Sequence, residues 1–285
     1  MKYILTSDWH IRYDIPICRK DNFLDIQENT LEFIYATAKK HNAAVIIAGD
    51  IFHRAIPEKS QELEILLFKH IKKAPTYIIA GNHDLKYHRV SNIEKGSFGV
   101  LKHSDIVQEN DIEGINFYNY SEQLQKDKKG IAVLHRYCEK DNLPEYIEDG
   151  ITAESLIDDF NYDLYVVGDN HRGFIYEKNN KIVVNCGSIT RQTVDQKDYK
   201  PFITLYDTAT KTTKQIFLPD SNPDDIIDYH ITEKNNRDNR INSFIEKLQH
   251  GTLLDLSFEG NLKRYVLENK IKNNVNEIIL QTLQV

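Results

Sequence analysis

Short apolar runs, each closing on a knot of polar residues, punctuate the first two thirds of the chain. Tyr3-Ile4-Leu5-Thr6, Thr76-Tyr77-Ile78-Ile79-Ala80, Ile131-Ala132-Val133-Leu134 and Leu164-Tyr165-Val166-Val167 read as strands. Ala43-Ala44-Val45-Ile46-Ile47-Ala48 is apolar throughout, as in a strand buried on both faces. Between the first three runs the spacing becomes helical. Leu24, Leu31, Ile34, Tyr35 and Ala38 mark an amphipathic helix over 22–40, interrupted by Gln27-Glu28, and Leu63, Leu66, Leu67 and Ile71 mark a second over 58–72. Strand, helix, strand, helix, strand is an α/β opening. Beyond residue 90 the pattern predicts a helix over 97–103, a half-exposed strand over 115–119 and a helix-prone polar segment over 139–160. Strands over 182–185 and 202–206 follow, with 212–218 as a hairpin partner. Pro219-Asp220-Ser221-Asn222-Pro223-Asp224 is a turn-rich break that separates a main domain, 1–219, from a small α+β module, 220–285. In the module, 226–232 and 252–258 read as strands and 237–249 as a helix; Leu254, Leu256 and Phe258 could equally dock as an edge strand on the main core.

Composition narrows the setting. The 285 residues are 40% hydrophobic and 28% charged, the balance of a globular protein. No apolar run approaches the roughly 18 residues that cross a membrane, and Met1-Lys2 leads straight into a strand without a secretory signal. Cys18, Cys138 and Cys186 are odd in number and widely spaced, which fits buried thiols in a reducing, cytoplasmic compartment. A net charge of −7 makes the surface as a whole no polyanion binder. Nucleic acid would need a local basic patch or bound cations, with 69–73 and 126–129 as candidate basic stretches.

The polar knots carry the chemistry. In chain order they present Asp8 and His10, Asp50, Asn82 and His83, His135, and Asp169 and His171. Asp8 and His10 are two apart, so on a strand both side chains point the same way. Carboxylates, imidazoles and a carboxamide without a thiolate suit borderline to hard divalent ions. Seven ligands, leaving His83 aside, are too many for one ion and suit a pair about 3.5–4 Å apart sharing a carboxylate. Singly, each residue is as well explained as a helix cap or a satisfied histidine. Their recurrence after successive apolar runs is what points to metal.

Ser7-Asp8-x-His10, Gly49-Asp50, Gly81-Asn82-His83-Asp84, a lone His135 after a strand and Gly168-x-x-His171 resemble the calcineurin-like metallophosphoesterase superfamily over about residues 1–190. Within it the chain looks most like the SbcD-type nucleases, DNA-end-processing subunits that work with SbcC-type SMC-like ATPases. Gly49-Asp50-Ile51-Phe52-His53 followed by Pro57, and Asn185-Cys186-Gly187-Ser188, carry that finer likeness. The resemblance implies a β-sandwich flanked by helices (αββα) with the site at one rim. It implies that Asp8, His10, Asp50 and His171 hold a first ion, that Asp50 bridges, and that Asn82, His135 and Asp169 complete a second. His83 would face the scissile phosphate as charge stabiliser or general acid, Asp84 would orient it, and His53 would sit at the site's edge. The 58–72 helix, with its Leu63-Glu64-Ile65-Leu66-Leu67-Phe68 run, would serve a homodimer or be buried within the monomer. Two departures stand out. Gly168-Asp169-Asn170-His171 replaces the family's Gly-His-x-His, which adds negative charge at the second ion and favours Mn²⁺ or Mg²⁺ over Zn²⁺, with Fe²⁺ also possible, or else marks a site with one well-held ion. The stretch 220–285 is also shorter than the family's cap and ATPase-clasping helices.

Three functions compete. The first is a metal-dependent DNA exo- or endonuclease. The second is a cyclic-nucleotide or other small phosphodiesterase or phosphatase. The phosphoprotein phosphatases of the superfamily, which carry Asp-Arg-Gly after the second motif and an arginine before Gly-Asn-His, are disfavoured, because those places read His53-Arg54-Ala55 and Ala80 here and the phosphate-gripping arginine is absent. The third is a non-catalytic scaffold, for which Asp169 is the only support.

Overall fold

The computed structural model describes residues 1–108, 113–145, 147, 149–219 and 221–229. The chain runs β1 (Lys2–Thr6), α1 (Phe23–His41), β2 (Ala43–Ile47), α2 (Ser60–Ile71), β3 (Thr76–Ile78), α3 (Ser97–Lys102), β4 (Val107–Gln108), β5 (Ile115–Tyr118), β6 (Ile131–His135), β7 (Cys138–Glu139), β8 (Ile151–Thr152), α4 (Ala153–Asp159), β9 (Leu164–Gly168), β10 (Phe174–Lys178), β11 (Lys181–Asn185), β12 (Phe202–Asp207), β13 (Thr212–Phe217) and α5 (Pro223–Ile226). Two sheets form, ordered β13-β12-β1-β2-β3-β4 and β10-β11-β9-β6-β5. In the first, β1 to β4 run parallel and β12 and β13 close the edge antiparallel; in the second only β10 is antiparallel.

The apolar runs lack alternation because both of their faces are covered. Ile4, Val45, Ile47 and Ile78 pack under α1, α2 and α3, whereas Tyr3, Leu5, Ala44, Ile46 and Tyr77 meet Val133, Leu164, Val166 and Val184 of the second sheet. On that sheet's far face, Ala132, Leu134, Tyr165 and Val167 pack with Leu156 and Ile157 of α4. Successive side chains on a strand point to opposite faces, so each run feeds two cores. The layers are α, β, β, α, as the resemblance implies.

α1 closes at Asn42, which takes the left-handed conformation and donates its N–H back to the carbonyls of Ala38 and Lys39. Its polar interruption has a use: Gln27 is fully buried and its amide pairs with both the N–H (2.9 Å) and the C=O (2.8 Å) of Arg12. In α2, Leu63, Leu66 and Leu67 are spent on the chain's own core, and Ile65 is left 60% exposed. Among the described residues no helix is long and apolar enough to cross a membrane.

Some elements differ from the sequence expectation. β5 is buried along its whole length rather than half-exposed, since Asn116 donates to Lys129 C=O and the Tyr118 hydroxyl meets that of Tyr162 at 2.5 Å. Among the described residues of the helix-prone 139–160 segment only 153–159 is helical, with Thr152 Oγ1 capping it by accepting the Ser155 N–H. At the segment's start, 138–139 pairs with 151–152 as a short parallel ribbon. Ile226, expected in a strand, ends α5, and Ile227 bridges antiparallel to Arg19. Met1–Asp228 is one compact unit; the module expected over 220–285 lies outside the described residues from 230 on.

Candidate metal centre

The site is assembled where strands stop. At the ends of β1, β2 and β9 the chain turns sharply, and Asp8, His10, Asp50 and Asp169 all have positive φ (49°, 44°, 52° and 90°). That conformation costs a non-glycine residue about 1–3 kcal/mol and persists only where surrounding bonds enforce it. Here the pairing of β1 with β2 continues into the loops. Asp8 N–H donates to Gly49 C=O (3.1 Å), His10 N–H to Asp50 C=O (2.9 Å) and Ile11 N–H to Ile51 C=O (2.8 Å).

Two glycines let the turns close. A Cβ on Gly49, itself at φ +88°, would lie 2.3 Å from His135 Nδ1, and one on Gly81 would lie 2.1 Å from an Asp50 carboxylate oxygen. Neither place admits a side chain without moving a site residue.

The side chains converge. His10 Nε2 and His171 Nε2 are 2.9 Å apart, and Asp50 Oδ2 lies 3.4 Å from His10 Nε2 and 3.5 Å from His135 Nε2. His135 Nε2 is also 3.0 Å from Asn82 Oδ1 and 3.9 Å from Asp169 Oδ1. His135 Nδ1 is committed, donating to Ala48 C=O at 2.8 Å. Ligand atoms of Asp8, His10 and His171, of Asp8, Asp50 and His135, and of His10, His53 and His83 lie within 4.8 Å of one another. All seven sequence-predicted ligands are therefore brought to one place, with Asp50 central.

This donor set fits divalent cations. Lone-pair atoms face one another across the cluster, and His10 Nδ1 is buried without a hydrogen-bond partner. Among the described residues no lysine or arginine forms an ion pair with Asp8, Asp50 or Asp169. Burial raises the Asp8 and Asp169 carboxyls and drives His10 well below its ordinary value, towards the neutral, ligating form. Burial also opposes charge on His135, yet Asp50, Asp8 and Asp169 outweigh it and hold the ring up at about 10. The pocket is one that attracts positive charge.

His83 stands beside the cluster. Its Nδ1 donates to His53 C=O (2.8 Å), its backbone N–H donates to Asp50 (2.9 Å), and its ring lies 4.8 Å from that of His10. His53 stacks on it at 5.6 Å; burial, with Arg12 and His83 nearby, pushes His53 down to about 4. Asp84 corrects an expectation. Its carboxylate accepts N–H groups from Ile51 (3.2 Å), Phe52 (2.9 Å) and Gly81 (2.9 Å), so it pins the turns that carry Asp50 and Asn82. The His83 ring is oriented by the His53 carbonyl instead. Reading the sequence assigned no bracing role to three asparagines that hold the rim. Asn119 Oδ1 accepts the Ala80 N–H, Asn170 donates to Cys138 C=O, and Asn185 donates to the carbonyls of Asn170 and Arg172. A buried carboxamide just past an apolar run is the signal that could have found them.

The calcineurin-like phosphoesterase family model matches residues 1–173. The chain belongs to that family. The family is one of metal-dependent phosphoester hydrolases, and the donor cluster groups aspartate and histidine side chains that could hold divalent ions. No curated protein matches the chain. Among solved structures, a novel archaeal phosphodiesterase is 17% identical, with 76% of this chain and 100% of that chain covered and a TM-score of 0.42. Vacuolar protein sorting 29 from Cryptosporidium parvum is 18% identical over 76% of this chain and 95% of that one, TM-score 0.34. Zn²⁺-complexed Vps29 from Entamoeba histolytica is 12% identical over 76% and 99%, TM-score 0.33. At these scores the likenesses carry no functional weight.

Proposed function

We propose that this phosphoesterase is a DNA exo- or endonuclease of the SbcD type. The observation that carries the reading is that the donor cluster lies between two open grooves. On the His135 and Asp169 side a cavity of about 550 Å³ is lined by Tyr120, Arg136, Tyr137 and Phe160. On the His53 and His83 side a second, of about 410 Å³, is lined by Arg54, Lys86 and Tyr87. A strand that continues on both sides of the scissile phosphodiester occupies both, whereas a phosphomonoester or cyclic nucleotide needs one. The His53-side groove carries Arg54 and Lys86 and no acidic side chain although the chain's net charge is −7, which suits a polyanion, whereas the other groove sets Arg136 beside Glu122 and Asp149.

Asp8, His10, Asp50 and His171 would hold one ion and Asn82, His135 and Asp169 the other, with Asp50 shared; the added carboxylate of Asp169 favours Mn²⁺. Two divalent ions so held would supply an activated water and charge neutralisation at the phosphoryl oxygens. His83, its Nδ1 fixed on the His53 carbonyl, would present Nε2 to the leaving oxygen, where it would stabilise charge and donate a proton. Partnership with an SMC-like ATPase belongs to the same proposal, as does a homodimer through α2, for which exposed Ile65 offers a contact; sedimentation of a monomer would dispose of the dimer.

The test is cleavage of end-labelled linear duplex and single-stranded DNA with Mn²⁺, Mg²⁺ or chelator, beside an aryl phosphodiester and cyclic nucleotides. Metal-dependent cleavage of DNA supports the nuclease. DNA left intact while the small diesters are hydrolysed would make the protein a small-molecule phosphodiesterase.

A further inference from the structure

The loop after Asp84 has a feature that neither metal binding nor His83 explains. Tyr87 is 74% exposed, and it and His88 both have positive φ (59° and 51°). Two consecutive non-glycine residues in that region are strained, and an exposed aromatic ring gains nothing from packing that would offset it. The strain is imposed from below. His88 Nδ1 donates to Asn82 C=O (2.8 Å), His88 N–H donates to Leu85 C=O (2.9 Å), and Asn92 donates to Lys86 C=O (2.9 Å). The loop is thus tied to the backbone of a residue in the donor cluster, and the His88 ring lies 6.2 Å from that of His83. The outcome is a tyrosine ring held at the wall of the 410 Å³ groove, with the Lys86 ammonium 5.4 Å from its centroid and Arg54 on the same lining.

An aromatic face flanked by cations beside an open groove is the composition of a single-strand track. Bases stack on the ring whatever their sequence, and cations follow the phosphates. We propose that the Arg54–Lys86–Tyr87 groove binds one unpaired nucleotide next to the scissile phosphate, with Tyr87 as stacking platform and Lys86 as phosphate contact. The inference rests on the nuclease reading and deepens it: it makes an unstacked strand the preferred substrate on that side of the site. Tying the loop to Asn82 explains why the strain is kept, since it fixes the distance between platform and cluster.

The test uses a fluorescein-labelled, phosphorothioate-linked single-stranded oligonucleotide with the Mn²⁺-loaded protein, read by anisotropy. Tyr87→Ala and Tyr87→Gly are expected to weaken binding by roughly 5- to 150-fold, and Tyr87→Phe to restore it. Glycine accepts positive φ without strain, so Tyr87→Gly is expected to raise the melting temperature while binding worse, which separates the effect from unfolding. Lys86→Ala should flatten the dependence of log K on log salt by about 0.7. The ratio of kcat/KM on an oligonucleotide to that on an aryl phosphodiester should fall in Tyr87→Ala. Wild-type affinity in Tyr87→Ala and Tyr87→Gly, or a loss that Tyr87→Phe does not repair, would overturn the platform while leaving the nuclease intact. An oligonucleotide that the wild type neither binds nor cleaves, beside rapid aryl phosphodiester hydrolysis, would remove the nuclease reading and this inference together.

Discussion

His83 and Asp50 sit within one hydrogen bond of each other and predict opposite phenotypes. The His83 ring is anchored to the His53 carbonyl and contributes to no carboxylate-bearing group of the cluster, so His83→Ala should lower turnover by about 10²- to 10⁴-fold. Metal content measured by inductively coupled plasma mass spectrometry should stay at the wild-type level. Asp50 Oδ2 reaches both His10 and His135, so Asp50→Ala should lose both ions, and retention of two per chain would refute its bridging place. Asp8, Asn82, His135 and His171 were legible as ligand types because each follows an apolar run. The work of Asp84 was not legible, because two of its three partners are backbone groups of a different turn, more than thirty residues away.

Helix α1 shows how an apparent flaw in a pattern becomes a brace. Gln27 breaks the apolar stripe, and in the fold it satisfies both backbone groups of Arg12, two residues past His10. Gln27→Leu keeps the volume and removes both partners, so it should destabilise the protein by about 1–3 kcal/mol per orphaned group. Chemical denaturation with an unchanged m-value would check this, since a changed slope would mean a different ensemble rather than a lost brace. The strands were legible from their apolar runs, since a strand covered on both faces has no polar side to betray it. β10 and the 138–139 ribbon were not: β10 has no fully buried residue, the ribbon is only two residues long on each side, and the pairing of both depends on neighbours brought in by the fold.

At the level of the whole molecule, all three thiols are buried. Burial pushes Cys138 up to about 12 from 9.0, and raises Cys18 and Cys186 as well. A thiol kept neutral in the fold loses nothing below the unfolded value, but above it the unfolded chain gains by ionising. The stability that Cys138 holds is therefore complete below about pH 9 and is lost as pH rises towards 12. Native protein at pH 8 should not react with a thiol reagent such as dithionitrobenzoate, and the denatured chain should release three equivalents. Fast reaction of the folded protein would contradict the burial. Cys138→Ala should flatten the alkaline fall in melting temperature.

The sequence by itself determined the strands, the helices between them and the donor types gathered at the site. Apolar runs long enough for a strand, separated by helix-length amphipathic stretches, specify strands that must be covered on both faces, and the donors at their ends are of the hard and borderline types that suit divalent ions. Only the tertiary structure decided which donors meet. His10 and His171 are 161 positions apart and come within 2.9 Å because β1 and β9 lie in sheets packed face to face. No local pattern encodes that distance, nor the closeness of Gly49 to His135, nor the bonds that force Tyr87 into a strained turn. Periodicity reports the environment of a residue, whereas the pairing of residues is a property of strand order and packing, which exists only once the whole domain has closed.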